Sequence, residues 1–230
     1  MERKFLQELD KLKQDLLRMA SLVEQAIANS VKSLVERDTD LAYRVIEEDR
    51  QIDTIEMKID EQCLRLLALR QPMAVDLRFI TSAMKIITDL ERMGDLAVNI
   101  ANRAIILNRE PLLKPLIDIP RMARLAQTMV KDSLDAFVSH DPDLALSVCR
   151  RDDEVDCLND QVFRELLTFM LQDPSTVNRA LQLIFFAHQL ERIADHSTNI
   201  AESVIFMVKA QVIKHRTGQK KKDKGYKEVE

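Results

Sequence analysis

Eight carboxylates recur at one spacing, in two matched sets. Asp49 with Asp53 and Glu91 with Asp95 lie four residues apart in the first half of the chain, and Asp152 with Asp156 and Glu191 with Asp195 in the second. Like charges at this spacing on a helix repel by about 0.2–0.5 kcal/mol per pair, so four such pairs call for a counter-charge. Hard oxygen donors of this kind suit a divalent or trivalent cation. Asn99, Asn199 and Glu202 offer further oxygen ligands nearby. Arg92 and Arg192 can instead supply the counter-charge from within, and the acids are then ordinary solvated carboxylates on amphipathic helices.

Other site chemistries fit less well. Carboxylate-bridged di-metal oxidases on helical bundles use Glu-x-x-His. The residues three before His140, His188, His196 and His215 are Phe137, Phe185, Ile193 and Val212, so that motif is absent. A Ser or Cys nucleophile needs a fixed turn and an oxyanion hole, and no segment supplies them; His188 and His196 read as structural. Nucleotide-binding loops need clustered glycines. The chain has 3 Gly, of which Gly94 alone precedes residue 218.

The same scarcity of glycine argues against hairpin-rich sheets and for an all-α fold. Phe5, Leu9, Leu12, Leu16, Met19, Val23 and Ala26 mark a heptad seam on a first helix that runs to about Val35. Asp38-Thr39-Asp40 is a capping cluster that starts a second helix, from about Leu41 to Arg70. Pro72 ends it, and a third helix spans about Met73 to Asn108. Pro111, Pro115 and Pro120 mark a linker.

Beyond the linker the pattern returns. Asp38-Thr39-Asp40-Leu41-Ala42 matches Asp141-Pro142-Asp143-Leu144-Ala145, and Leu90-Glu91-Arg92-Met93-Gly94-Asp95 matches Leu190-Glu191-Arg192-Ile193-Ala194-Asp195. Helices four to six are expected near 120–139, 143–172 and 175–212. The organisation is therefore two tandem three-helix bundles of six long helices: residues 1–109, a linker 110–119, residues 120–212, and a tail 213–230. Each bundle is expected to hold its own apolar core. On a helical wheel with Leu90 as origin, Glu91, Asp95 and Asn99 fall near about 100°, 140° and 180°, away from the core stripe. The acids are thus expected to face solvent or a shallow groove, without raised pKa values.

Composition bounds the setting. Lys plus Arg number 34 and Asp plus Glu 38, for a formal net charge of −4. No run approaches the ~20 apolar residues of a membrane span, and the start lacks the apolar stretch of a signal peptide, so a cytoplasmic location is expected. Cys63, Cys149 and Cys157 read as reduced, mostly core thiols. From Lys214 onward the tail is strongly basic and almost without apolar residues, and is expected to be disordered. Such a tail can touch nucleic acid or anionic lipid, but a solubilising role is the simpler reading. With 2 Tyr and no Trp, stacking platforms are few and no nucleic-acid partner is expected.

The doubled Leu-Glu-Arg-x-x-Asp with its following Asn99-Ile100 and Asn199-Ile200, the linker Pro111-Leu112-Leu113-Lys114-Pro115 and the stretch Ser33 to Asp38 resemble the PhoU family over about residues 1–215. The resemblance implies two three-helix bundles and a negative regulator of phosphate uptake and phosphate-starvation signalling. It implies two partners, the ATP-binding subunit of the Pst phosphate transporter and a phosphate-sensing histidine kinase. The protein would sit peripheral to membrane proteins without spanning the bilayer. Some members bind iron, zinc or other divalent ions through acidic motifs on the second and third helices of each repeat. Matched here, those motifs are Asp49, Asp53, Glu91 and Asp95, then Asp152, Asp156, Glu191 and Asp195. Iron, zinc, manganese and magnesium all stay open, as does a homodimer. A non-enzymatic adaptor is the favoured reading; a carboxylate-based metal-dependent enzyme and a structural helical scaffold are the alternatives.

Overall fold

The computed structural model describes residues 2–212. The basic tail expected to be disordered lies outside the described residues. Six long helices follow one another: α1 Glu2–Val35, α2 Thr39–Arg70, α3 Ala74–Leu107, α4 Asp118–Ser139, α5 Pro142–Gln172 and α6 Val177–Lys209. Among the described residues, no strand forms and no helix is long and apolar enough to cross a membrane.

Local chemistry sets the boundaries. Asp38 caps α2 by accepting from the Leu41 amide at 2.9 Å, and Asp141 caps α5 by accepting from Asp143 and Leu144. Helix α6 starts later than its period suggests. Asp173 accepts from the Ser175 amide and stabilises a short 3₁₀ turn, Pro174–Thr176, ahead of Val177. Its other end falls short of residue 212, because Ala210 turns left-handed (φ 53°). The linker is pinned: Arg37 donates to the Asn108 and Glu110 carbonyls, and the buried Lys114 ammonium sits between Asp118 and Glu165. Asp118 and Ile119, assigned to the linker by the prolines, open α4.

The heptad seam of α1 is buried as expected, with Leu12, Leu16, Met19 and Val23 fully enclosed. Within each repeat the three helices pack on one another, and the repeats meet through α3 and α6. Arg78 donates to the Met207 carbonyl, Asp89 meets His196, and Arg103 donates to Gln182. The partners run in opposite order, so α3 and α6 are antiparallel. Small residues line these two helices: Ala83, Ala97, Ala101, Ala104, Ala187 and Ala194 are all buried, which lets the backbones approach closely.

The expectation of two separate cores is corrected. One continuous cluster of buried apolar side chains runs through both repeats. Helix α1 also packs on α4, and Phe79 of the first repeat stacks on Phe137 of the second with ring centroids 5.4 Å apart. The cause lies in α3 and α6, which bury one face within their own bundle and another between the bundles. Cys63 and Cys149 are core thiols, pushed up to about 12 and about 11 by burial, whereas Cys157 is exposed.

Candidate functional site

The carboxylates of each half meet where the second helix of the repeat packs on the third. Asp49 is half-buried, and burial together with the charges of Asp53, Asp95 and Glu91 pushes its carboxyl up to about 6. Glu91 is raised by burial and then by Asp95, Glu56 and Asp53, against a small opposing effect of Arg92. In the second repeat Asp152 is 2% exposed. Its carboxyl is pushed up to about 7 by burial, then by Asp195, Asp156 and Asp153. Burial and the neighbouring Asp195, Asp156 and Asp152 lift Glu191 to about 7, and burial with Asp156 raises Asp195. All four sequence-predicted acids of each half are therefore electrostatic neighbours. Asp53 and Asp95 stand at the exposed side of the first set; Asp156 and Asp195 are half-buried in the second.

The acids are expected to face solvent or a shallow groove without raised pKa values. Asp53 and Asp95 are exposed as expected, whereas Asp49, Glu91, Asp152, Glu191 and Asp195 are drawn out of water with raised values, which corrects the expectation for these five. A helical wheel measures orientation from one helix's own apolar stripe. Here the flank of α2 carrying Asp49 and Asp53 turns toward α3, and the flank of α5 carrying Asp152 and Asp156 toward α6. Each groove takes carboxylates out of water while bringing more negative charge beside them, and both effects favour the protonated form.

Two oxygens stand out. Asp152 Oδ1 and Glu191 Oε2 are buried without a hydrogen-bond partner. His188 Nδ1 lies 3.0 Å from Glu191 Oε2 across one helical turn, without the angle of a hydrogen bond. A buried acceptor left unsatisfied costs of the order of 1–3 kcal/mol, more when charged. Carboxylate oxygens without a hydrogen-bond donor and with lifted pKa values are what a cation would satisfy, so the donor set fits a hard or borderline metal ion. Among the described residues, no three His, Cys, Asp or Glu side chains are grouped so as to hold an ion as they stand. The acids are neighbours in a groove, short of a closed cage.

Asn199, Glu202 and Asn99 have different surroundings. The Asn199 amide donates to Asp89 Oδ1 at 3.2 Å, across the junction between repeats. Glu202 lines a cavity of about 540 Å³ between α3 and α6, with Lys85, Arg92 and Phe206. Asn99 is exposed on the Glu91–Asp95 side of α3.

Two residues escaped the sequence reading. Asp89, buried on α3, accepts from His196 Nδ1 at 2.8 Å as well as from Asn199, tying the repeats together one residue from Asp195. Only the antiparallel pairing of α3 with α6 reveals this link. Gly94 had a visible signal, as the one glycine before residue 218. A Cβ there would stand 3.1 Å from Asp49 Oδ1 and 3.1 Å from Ile52 Cδ1, so the missing side chain lets α2 and α3 close at the carboxylates. We expect Gly94→Ala to leave thermal stability nearly unchanged, since alanine gains about 1 kcal/mol of helix propensity against this crowding. The carboxylate, at the end of a rotatable side chain, yields first and moves toward solvent. Its NMR titration should then shift down toward the ordinary carboxylate range. An unmoved Asp49 titration would contradict that role for Gly94.

An antiparallel pair of three-helix repeats with a doubled acidic groove defines a duplicated, carboxylate-bearing α-helical domain protein. The model of the PhoU domain matches residues 16–104 and 119–204, and the chain belongs to the PhoU family. It is 44% identical over 213 residues to the phosphate-specific transport system accessory protein PhoU homolog of Aquifex aeolicus, covering 93% of this chain and 96% of that protein. It is 42% identical over 214 residues to the homolog of the same name in Pseudomonas aeruginosa, covering 93% and 88%. Its fold matches the crystal structure of PhoU from Pseudomonas aeruginosa with a TM-score of 0.87 and 43% identity, over 90% of this chain and 100% of that one. It also matches the phosphate transport system regulatory protein PhoU from Streptococcus pneumoniae, with a TM-score of 0.85 and 30% identity over 91% and 99%.

Proposed function

We propose that this protein is an accessory regulator of phosphate transport that acts as a cytoplasmic, metal-binding adaptor without catalysing a reaction of its own. The transport role is supported by its relatives, which carry the name of phosphate-specific transport system accessory proteins. The metal role is supported by one observation above the rest, the buried and unpartnered Asp152 Oδ1 beside Glu191. Asp152, Asp156, Glu191 and Asp195 would hold cations in the second repeat, and Asp49, Asp53, Glu91 and Asp95 in the first. A bound cation, whether iron, zinc, manganese or magnesium, would neutralise charge and bridge the two helices of each groove. The chain's own part is to bring acids from two helices together, exclude water from Asp152, and let α2 and α3 approach closely at Gly94. The partners proposed are the ATP-binding subunit of the phosphate transporter and a sensor histidine kinase. A negative regulator between them keeps uptake and the starvation response low when phosphate is plentiful.

Deletion of the gene tests the regulatory part. Phosphate-starvation genes should stay active in phosphate-rich medium and fall silent again on complementation. Normal repression in the deletion strain, with no paralogue present, would remove the regulatory reading.

A further inference from the structure

At the end of the molecule where α2 turns into α3, the surface is apolar at its tip and basic at its flank. Leu69 is 68% exposed, Met73 79% and Val75 60%, with Leu6 of α1 exposed close by. Gln71 and Ala74 both turn left-handed (φ 48° each), a conformation unfavourable for residues with a Cβ. The two turns hold Met73 outward between them. Beside the tip, a groove of about 570 Å³ between α1 and α2 is lined by Lys4, Lys11, Arg65 and Arg70, with Glu8 as its one acid. Glu8 is taken up by Arg70 through two bonds of 2.9 Å. Among the described residues, no carboxylate forms an ion pair with Lys4, Lys11 or Arg65. Asp76, in the first turn of α3, sits where the helix N-terminus favours an acid.

The last turn of α6 reaches the same end, because Arg78 of α3 donates to the Met207 carbonyl. Val212 follows, 73% exposed. The sequence beyond it carries seven Lys and Arg against three acids, whereas residues 1–210 carry 27 basic and 35 acidic groups. The α5–α6 turn also exposes apolar side chains, Leu171 and Val177. Two cations near it are occupied, however: Lys114 of the linker by Asp118 and Glu165, and Arg179 by the Pro111 carbonyl.

We propose that the α2–α3 tip, with the adjoining groove of Lys4, Lys11 and Arg65, is a docking surface for an anionic lipid bilayer. Charge complementarity selects this occupant. An apolar tip inserts a short way into the interface while cations at its flank meet the headgroups, and two such weak signals together give stable, reversible binding. Each basic residue near an anionic surface contributes about a fivefold gain in affinity. The proposal is independent of the metal reading, since no carboxylate of either groove takes part.

The test is flotation of the full chain with vesicles of equal parts phosphatidylglycerol and phosphatidylcholine, against phosphatidylcholine alone. The protein should float with the anionic vesicles only, and high salt should release it. Leu69→Ser with Met73→Ser and Val75→Ser should weaken binding at least ~10-fold, and so should Lys4→Glu with Arg65→Glu, since two charges are reversed. All these side chains are exposed, so helical circular dichroism should be unchanged. Leu171→Ser, at the other end, should bind as wild type does. Failure of the wild type to float, or flotation of both variant sets at wild-type strength, would overturn the proposal. Loss of all binding on truncation after Val212, with the tip variants unaffected, would assign the contact to the tail and overturn it too. Binding of an acidic helical peptide in the groove by a protein that does not float would make the surface a protein-docking site instead.

Discussion

In metal-free buffer at pH 8, the Asp152→Asn protein should be more stable than wild type, although it loses a charged group. Asp152 is buried, carries an oxygen without a hydrogen-bond partner, and lies beside Asp195 and Asp156. An amide of nearly the same shape removes the charge and can donate to a neighbouring carboxylate. The gain should be of the order of 1–3 kcal/mol, the usual cost of an unsatisfied buried group. For a chain of this size that corresponds to a rise of about 5 °C in melting temperature. The pH dependence follows with a definite sign. The folded-state values of Asp152 and Glu191 are about 7, and that of Asp49 about 6, all above the ordinary values of 3.8 for Asp and 4.5 for Glu. The folded state therefore binds protons that the unfolded state does not, and metal-free wild type should gain stability as the pH falls from 8 toward 5. The gain is complete below the unfolded values and lost again as the pH rises through 6 to 7. Asp15, whose carboxyl is lowered by Lys58 and Gln62 against the effect of burial, works the other way and costs stability once the pH falls below about 4. Thermal melts across pH read both effects. A wild-type melting temperature that is flat or falling from pH 8 to 5, or an Asp152→Asn protein less stable than wild type, would contradict the account.

Phe137→Ala should cost about 3–5 kcal/mol, as removal of a large, fully buried aromatic side chain typically does. Phe137 has no exposed surface and stacks on Phe79 of the other repeat. Its loss opens a cavity in the part of the core that the repeats share, so both halves should melt together at a temperature lowered by about 10 °C. Urea denaturation monitored by circular dichroism measures it. A loss under ~1 kcal/mol, far below the range for such truncations, would mean that the repeats barely depend on each other. A second transition appearing in one half alone would mean the same.

The helices were legible because glycine is nearly absent and apolar residues keep the helical period, as the α1 seam from Phe5 to Val23 shows. The duplication was legible because whole motifs recur in order. The matching of Asp49, Asp53, Glu91 and Asp95 to one another was legible as a pattern, and the structure makes them electrostatic neighbours. Their environment was not. Which way a helix flank faces depends on the helix packed against it, and a wheel drawn for α3 alone contains nothing of α2. For the same reason the Asp89–His196 link was invisible, since it exists only where α3 and α6 run antiparallel. The shared core was missed because buried residues on two faces of α3 look, in sequence, like one broad apolar stripe.

The central claim is that the two acidic grooves hold metal, and metal analysis of the purified full chain under metal-replete conditions tests it most directly. The comparison is wild type against Asp152→Ala with Glu191→Ala in the second groove, and against Asp49→Ala with Glu91→Ala in the first. Wild type should carry bound metal that a chelator removes without unfolding the protein, because apolar seams hold the helices. Each double variant should lose the metal of its own groove and keep that of the other. Equal metal in all three proteins, or none in wild type, would return the eight acids to ordinary solvated and half-buried carboxylates.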